Sequence, residues 1–205
     1  KEAKNAGVNR VRIHALLDGR DVPATSAHIY VEQLENVLND LNDKTFDAKI
    51  ASGGGRMNIT MDRYEANWDM VKRGWDTHVL GLGRRFDNAL TAIETYRKEL
   101  SVIDQDLPAF VIAKDGEPIG KIVHKDSVIL FNFRGDRALE LSMAFDNEDF
   151  TAFDRGECPE VVYAGMLQYD GDLNLPKRFL VNPPEIHDTL SELLVRNRLN
   201  QYAVS

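Results

Sequence analysis

The apolar positions of the chain follow two alternating rhythms. Val8 to Leu17 is dense in apolar residues (Val8, Val11, Ile13, Ala15, Leu16, Leu17) and predicts a strand, which Asp18-Gly19 breaks. Ile29, Leu34, Val37, Leu38 and Leu41 then recur at helical spacing, so a helix runs to about Asn42, with Thr25 or Ser26 as its cap. Asp47 to Ser52 predicts a short second strand emptying into a Gly53-Gly54-Gly55 turn. Tyr64, Trp68, Val71 and Trp75 lie at i, i+4, i+7 and i+11. They predict a helix over Met61 to Trp75 with both tryptophans in the core. A Gly-rich loop around Gly81 and Gly83 precedes a helix from about Asn88 to Leu100.

The second half changes character. Ala109 to Ala113 and Pro118 to Val123 flank Asp115-Gly116, a hairpin signal. Ser127 to Phe133 is a strongly apolar strand, followed by a helix to about Phe145, and Glu160 to Gln168 reads as a last strand. After Pro176 and Pro183-Pro184 the chain is expected to leave the compact part; Leu190 to Ser205 reads as a helix and then an unfinished strand. The first residues read as the end of a helix stopped by Gly7, so both ends look cut. The fold class expected is a layered α/β sandwich with a mainly parallel mixed sheet and a hairpin edge. Residues 8–186 form one domain, 1–7 an incoming helix or linker, and 187–205 an outgoing linker.

Charge narrows the function classes. Lys and Arg number 25 against 33 Asp and Glu, for a net charge of −8. That balance argues against a general nucleic-acid or membrane-surface binder, which needs a basic face. The apolar runs are short, and none approaches the roughly 20 residues that span a bilayer. One cysteine, Cys158, leaves no internal disulfide framework and fits a reducing compartment. His14, His28, His78, His124 and His187 are scattered without metal-ligand spacing, and His14 reads as a core or rim residue. Arg84-Arg85 reads as a solvated basic spot, and no G-x-S-x-G elbow supports a hydrolase triad.

Three places share one design, in which an apolar strand ends and Arg sits in the following loop. They are Asp18-Gly19-Arg20-Asp21, Gly53-Gly54-Gly55-Arg56 with Arg63 at the start of the next helix, and Asn132-Phe133-Arg134-Gly135-Asp136-Arg137. Ligands of open α/β sheets bind outside the carboxyl ends of the strands. If the sheet is parallel there, Arg20, Arg56, Arg63, Arg134 and Arg137 line one rim. Guanidinium groups match carboxylate and phosphate with paired planar donors, and a triple-Gly turn would add backbone N–H groups. The ligand implied is a small molecule with two anionic groups; Asp21 and Asp136 would orient the arginines or accept from hydroxyls, and Asp21 is a candidate general base. Two other readings stand beside this one: an α/β module whose Arg loops bind a nucleotide phosphate, and a purely structural domain.

The segments "LLDGRDVPATSA", "ASGGGRMNITMDRYEANWDMVKRGW" and "FNFRGDRALELS", with "FTAFDRG" and "YDGDLNLP", resemble the cofactor-independent (2,3-bisphosphoglycerate-independent) phosphoglycerate mutase family. The wording "GGGRM…MDRYEANW" looks nearest to its plant and trypanosomatid branch. The resemblance spans nearly the whole chain and implies the substrate-binding domain inserted into a phosphatase-like domain of the same chain. It implies interconversion of 3-phosphoglycerate and 2-phosphoglycerate in glycolysis through a phosphoserine, with no 2,3-bisphosphoglycerate. It places the nucleophilic Ser and two metal ions, Mn or Mg, outside this sequence. Carried over by motif, Arg20 and Asp21 contact the glycerate hydroxyls, with Asp21 the acid/base group. Arg56 and Arg63 take the carboxylate, and Arg134 and Arg137 clamp the phosphate or carboxylate. A monomer is implied, in the cytoplasm or in a glycosome. On this reading the 205 residues alone do not catalyse the mutase reaction.

Overall fold

The computed structural model describes residues 1–182 and 186–202. A short helix α1 (Glu2–Asn5) leads into β1 (Arg10–Leu17), α2 (Ala27–Leu41) and β2 (Asp47–Gly55). Then come α3 (Trp68–His78), β3 (Arg84–Phe86), α4 (Ala89–Leu100), a single 3-10 turn (Asp104–Asp106), β4 (Phe110–Lys114) and β5 (Glu117–Pro118). The rest comprises β6 (Ser127–Leu130), α5 (Leu139–Asp146), β7 (Val162–Gly165) and an exposed helix, α6 (Leu190–Arg196).

The main sheet runs β1-β2-β4-β3, with β5 beside β4. The β1–β2 and β3–β4 pairs are parallel, while β4 is antiparallel to both β2 and β5. The expected layered α/β fold with a mixed sheet and hairpin edge is therefore present. A separate pair, β6–β7, is also parallel. So the third Arg loop follows a strand of another sheet, and one continuous rim does not carry all three loops.

The core explains the helical spacing. Val31 and Leu38 of α2, with Ala92 and Ile93 of α4, pack on Leu17, Ile50, Phe110 and Ile112 of the sheet. A second cluster joins Trp75 and Val79 of α3 to Leu141 and Ala144 of α5. The β1–β2 register slips between Ile13 and His14, so that Ile13 pairs with Ile50 but His14 with Ser52. The extra residue is Ala51. It ends the alternation that turns Ala48 and Ile50 into the first core and turns Ser52 toward α3.

Three local expectations change. Gly53, Gly54 and Gly55 are not a turn but the last residues of β2. A Cβ at Gly53 would lie 2.5 Å from the Phe110 ring and one at Gly54 would lie 2.8 Å from Ile59, so these glycines answer to close packing. Met61 to Asn67 is a loop rather than the first half of a helix. Asn67 caps α3 by accepting the Met70 N–H at 3.1 Å, and Tyr64 and Glu65 hold left-handed backbone at φ 61° and 55°. Arg84 and Arg85 lie in a strand, with Arg84 paired to Glu99 and Arg85 donating to the Gly116 carbonyl. Pro183 and Pro184, where the chain was expected to leave the compact part, and Ala203–Ser205 of the expected final strand lie outside the described residues.

Candidate functional site

The first two Arg loops rest on one support. Beyond β1, the Asp18 carboxylate accepts the backbone N–H groups of Arg20 and Asp21, each at 3.2 Å. The same loop returns through Ala24, whose carbonyl accepts the Asp104 N–H at 2.8 Å. Beyond β2, Gly55 N–H donates to Leu107 O at 2.8 Å and Met57 N–H to Gln105 O at 2.9 Å. The 104–107 turn thus holds both loops from below. Asp104 also accepts the Ala27 N–H at 2.7 Å and so caps α2. That is the role expected of Thr25 or Ser26; Ser26 instead donates its hydroxyl to Pro23 O at 2.8 Å. Arg97 pairs with the buried Asp104 carboxylate, as a buried charge requires.

The third loop is held from its own side. The Tyr169 hydroxyl reaches the carbonyls of Leu130 at 3.1 Å and Asn132 at 2.7 Å, where β6 ends. A Cβ at Gly135 would lie 2.9 Å from Tyr169 O, so the loop passes Tyr169 without room for a side chain there.

All six predicted residues, Arg20, Asp21, Arg56, Arg63, Arg134 and Arg137, line one cleft of about 410 Å³. Met61, Asn132, Phe133 and Asp136 complete its wall. Arg56 lies 3.2 Å from Asp18 and 3.7 Å from Asp21, and its side chain is only 18% exposed. Its Nε is buried without a hydrogen-bond partner. Arg63 pairs with Asp136 at 3.1 Å, and Arg137 donates to Met61 O at 2.6 Å. Arg20 and Arg134 are exposed and have no side-chain partner among the described residues. Five guanidiniums therefore face three carboxylates, and a chain of net charge −8 carries a locally positive cleft.

The backbone contributes less than the glycines promised. The N–H of Gly55 is taken by Leu107 and that of Arg56 by Leu17 O at 2.9 Å, so neither is free for an anion. The side chains carry the recognition. Guanidiniums from three separate loops suit a ligand with two anionic ends, and Asp21, 68% exposed, stands where it can accept a proton from a hydroxyl. Among the described residues no group of three or more His, Cys, Asp or Glu side chains is placed to hold a metal ion.

Several supporting residues carry no local signal in sequence. Asp104 and Tyr169 act across long loops. Glu140 of α5 is buried, and its Oε1 accepts the Glu65 N–H at 3.0 Å. Burial pushes that carboxyl above its ordinary range. Ser52 links two histidines treated above as unconnected, with its hydroxyl 2.7 Å from Nδ1 of both His14 and His78.

A family model described as the BPG-independent PGAM N-terminus matches residues 1–171. The chain belongs to that family. It is 57% identical over 199 residues to a probable 2,3-bisphosphoglycerate-independent phosphoglycerate mutase of Leptospira interrogans, covering 97% of this chain and 36% of that protein. It is 50% identical to the 2,3-bisphosphoglycerate-independent phosphoglycerate mutase of Trypanosoma brucei brucei, over 100% of this chain and 38% of that one. A solved structure of Leishmania mexicana phosphoglycerate mutase at low cobalt concentration superposes with a TM-score of 0.90 at 48% identity. That match covers 97% of this chain and 37% of that one. The chain spans a little over a third of the length of these mutases.

Proposed function

We propose that this chain is the substrate-binding part of a cofactor-independent phosphoglycerate mutase, and that its cleft holds 3-phosphoglycerate and 2-phosphoglycerate during their interconversion. The observation that carries this reading is the convergence of five arginines from three loops on one cleft of about 410 Å³. Membership of the mutase family narrows the dianion to a phosphoglycerate. Arg134 and Arg137 hold one anionic end, and Arg56 and Arg63 the other, through paired charge-assisted hydrogen bonds. Arg20 and Asp21 meet the glycerate hydroxyls, and Asp21 takes or returns the hydroxyl proton as the phosphoryl group moves.

The phosphoryl acceptor Ser and two ions, Mn or Mg, belong on this reading to the phosphatase-like part of the mutase. The donor set in the present cleft is arginine-rich and does not suit a metal, so no step here passes through one. The chain alone therefore binds without turnover. With half a site it binds weakly, at about millimolar. We place the whole protein in the cytoplasm as a monomer.

Calorimetric titration with 3-phosphoglycerate, and separately with ATP, tests this. The expected result is saturation by 3-phosphoglycerate near the millimolar range, weakened about tenfold or more in Arg134→Ala with the unfolding midpoint unchanged. Saturation by ATP alone would show a nucleotide-phosphate module instead. Robust mutase turnover by the 205 residues alone would sink the division of labour.

A further inference from the structure

The loop from Met61 to Asn67, which carries Arg63, has a costly backbone just after that residue. Tyr64 and Glu65 are consecutive non-glycine residues with left-handed backbone, at φ 61° and 55°. Such residues are disfavoured in the left-handed region, so surrounding contacts must impose them. Three contacts tie this loop to the segment that carries Arg134 and Arg137. Arg63 meets Asp136 at 3.1 Å, Arg137 donates to Met61 O at 2.6 Å, and Glu140 Oε1 accepts the Glu65 N–H at 3.0 Å.

These contacts differ in kind. The first two use guanidiniums that face the cleft, and an arriving anion competes for them. The third is buried: Glu140 is 2% exposed, and its Oε2 has no hydrogen-bond partner. Among the described residues no cation forms an ion pair with it, and the negative charges of Asp62 and Glu65 lie close enough to push its carboxyl further up. Asp62, also buried, accepts the Asn67 N–H at 2.7 Å and closes the same loop on itself. A buried carboxyl with one free oxygen and no positive partner is a destabilising choice at this place, unless its position serves the loop above it.

We propose that Glu140 is the positioning residue for Arg63. Its carboxyl anchors the strained loop to α5, so that the Arg63 loop and the Arg134–Arg137 loop present their guanidiniums as one unit. Glu140 lies below the cleft wall and acts through the Glu65 backbone. This inference rests on the reading of the cleft as a phosphoglycerate site only for the choice of probe.

The test uses the 205-residue chain in three variants. Glu140→Gln keeps an acceptor oxygen at the same reach, Glu140→Asp withdraws it by one methylene, and Glu140→Ala removes it. Amide hydrogen exchange at Glu65 and calorimetric titration with 3-phosphoglycerate are measured on each, beside the unfolding midpoint. We expect the Asp and Ala variants to lose Glu65 protection at least tenfold and to bind 3-phosphoglycerate about tenfold more weakly. The Gln variant should stay within about threefold of the parent on both. Adding Arg63→Ala should weaken binding in the parent and change little further in Glu140→Asp, because the two residues act in series. If Glu140→Ala does not fold, the Asp and Gln variants decide the matter. Parent-like Glu65 protection and affinity in Glu140→Asp, or independent effects of Arg63 and Glu140, would overturn the proposal. Failure of the parent to bind 3-phosphoglycerate would count against the ligand alone, since Glu65 exchange still reads the anchor.

Discussion

Ser52 stands between two imidazoles, with its hydroxyl 2.7 Å from Nδ1 of His14 and of His78. Burial holds both histidines below their ordinary range, His14 at about 4, with the neighbouring Arg12 pushing it further down and Asp126 partly opposing. The folded protein keeps these rings neutral where the unfolded chain protonates near 6.5. Stability is therefore full above about pH 7. It is lost as pH falls from about 6.5 toward 4, because the unfolded state takes protons that the folded state refuses. His14 alone should remove on the order of 2 kcal/mol between pH 7 and pH 5. Urea unfolding at those two pH values checks it. His14→Asn should shrink the difference by about that amount and leave the share due to His78, and an equal drop in the variant would refute the assignment. None of this could be read from five scattered histidines, because the contact depends on a register slip that turns Ser52 toward α3.

Among the elements, β2 shows most plainly where the pattern of the sequence succeeds and where it misleads. Three glycines in a row signal a turn, yet here they continue the strand, and the 104–107 turn presses against the last of them. A Cβ at Gly55 would collide with the Gln105 carbonyl. Gly55→Ala should therefore destabilise the fold by about 1–3 kcal/mol and weaken 3-phosphoglycerate binding, since Gln105 also holds Met57. A parent-like melting curve would show that the backbone yields there. The long amphipathic helices α2 and α4 were readable because their apolar stripes meet one sheet face. The loop from Met61 to Asn67 was not. Tyr64 sits in register with Trp68 and Trp75, but Asp62 and Glu140 claim the amides a helix would need, and Tyr64 stays 78% exposed. The Arg motifs were readable as a group because each follows a strand. That they gather from two sheets was not, since nothing local in β6 says which strand it will pair with.

The whole molecule is two sheets joined through α3 and α5, and Trp75 is the joint. It is fully buried, donates its indole N–H to Arg155 O at 2.9 Å and stacks at a tilt on Phe145, 4.8 Å away. Trp75→Ala should cost about 3–5 kcal/mol of stability. Because two Arg loops belong to one sheet and the third to the other, it should also weaken 3-phosphoglycerate binding in whatever fraction stays folded. Unfolding and titration of the same sample test both, and unchanged affinity in the folded fraction would mean that the sheets are held together elsewhere.

Three of the five cleft arginines already have partners of their own: Arg56 leans on Asp18 and Asp21, Arg63 on Asp136, and Arg137 on the Met61 carbonyl. A ligand must trade places with these partners, and they wait within reach to take the cations back. Release is then assisted from within. At a millimolar affinity and an association rate of about 10⁶ M⁻¹s⁻¹, the dwell time is about a millisecond. On the function proposed above, so short a stay suits an acid that offers first one hydroxyl and then the other, where a tighter grip would make the site a trap.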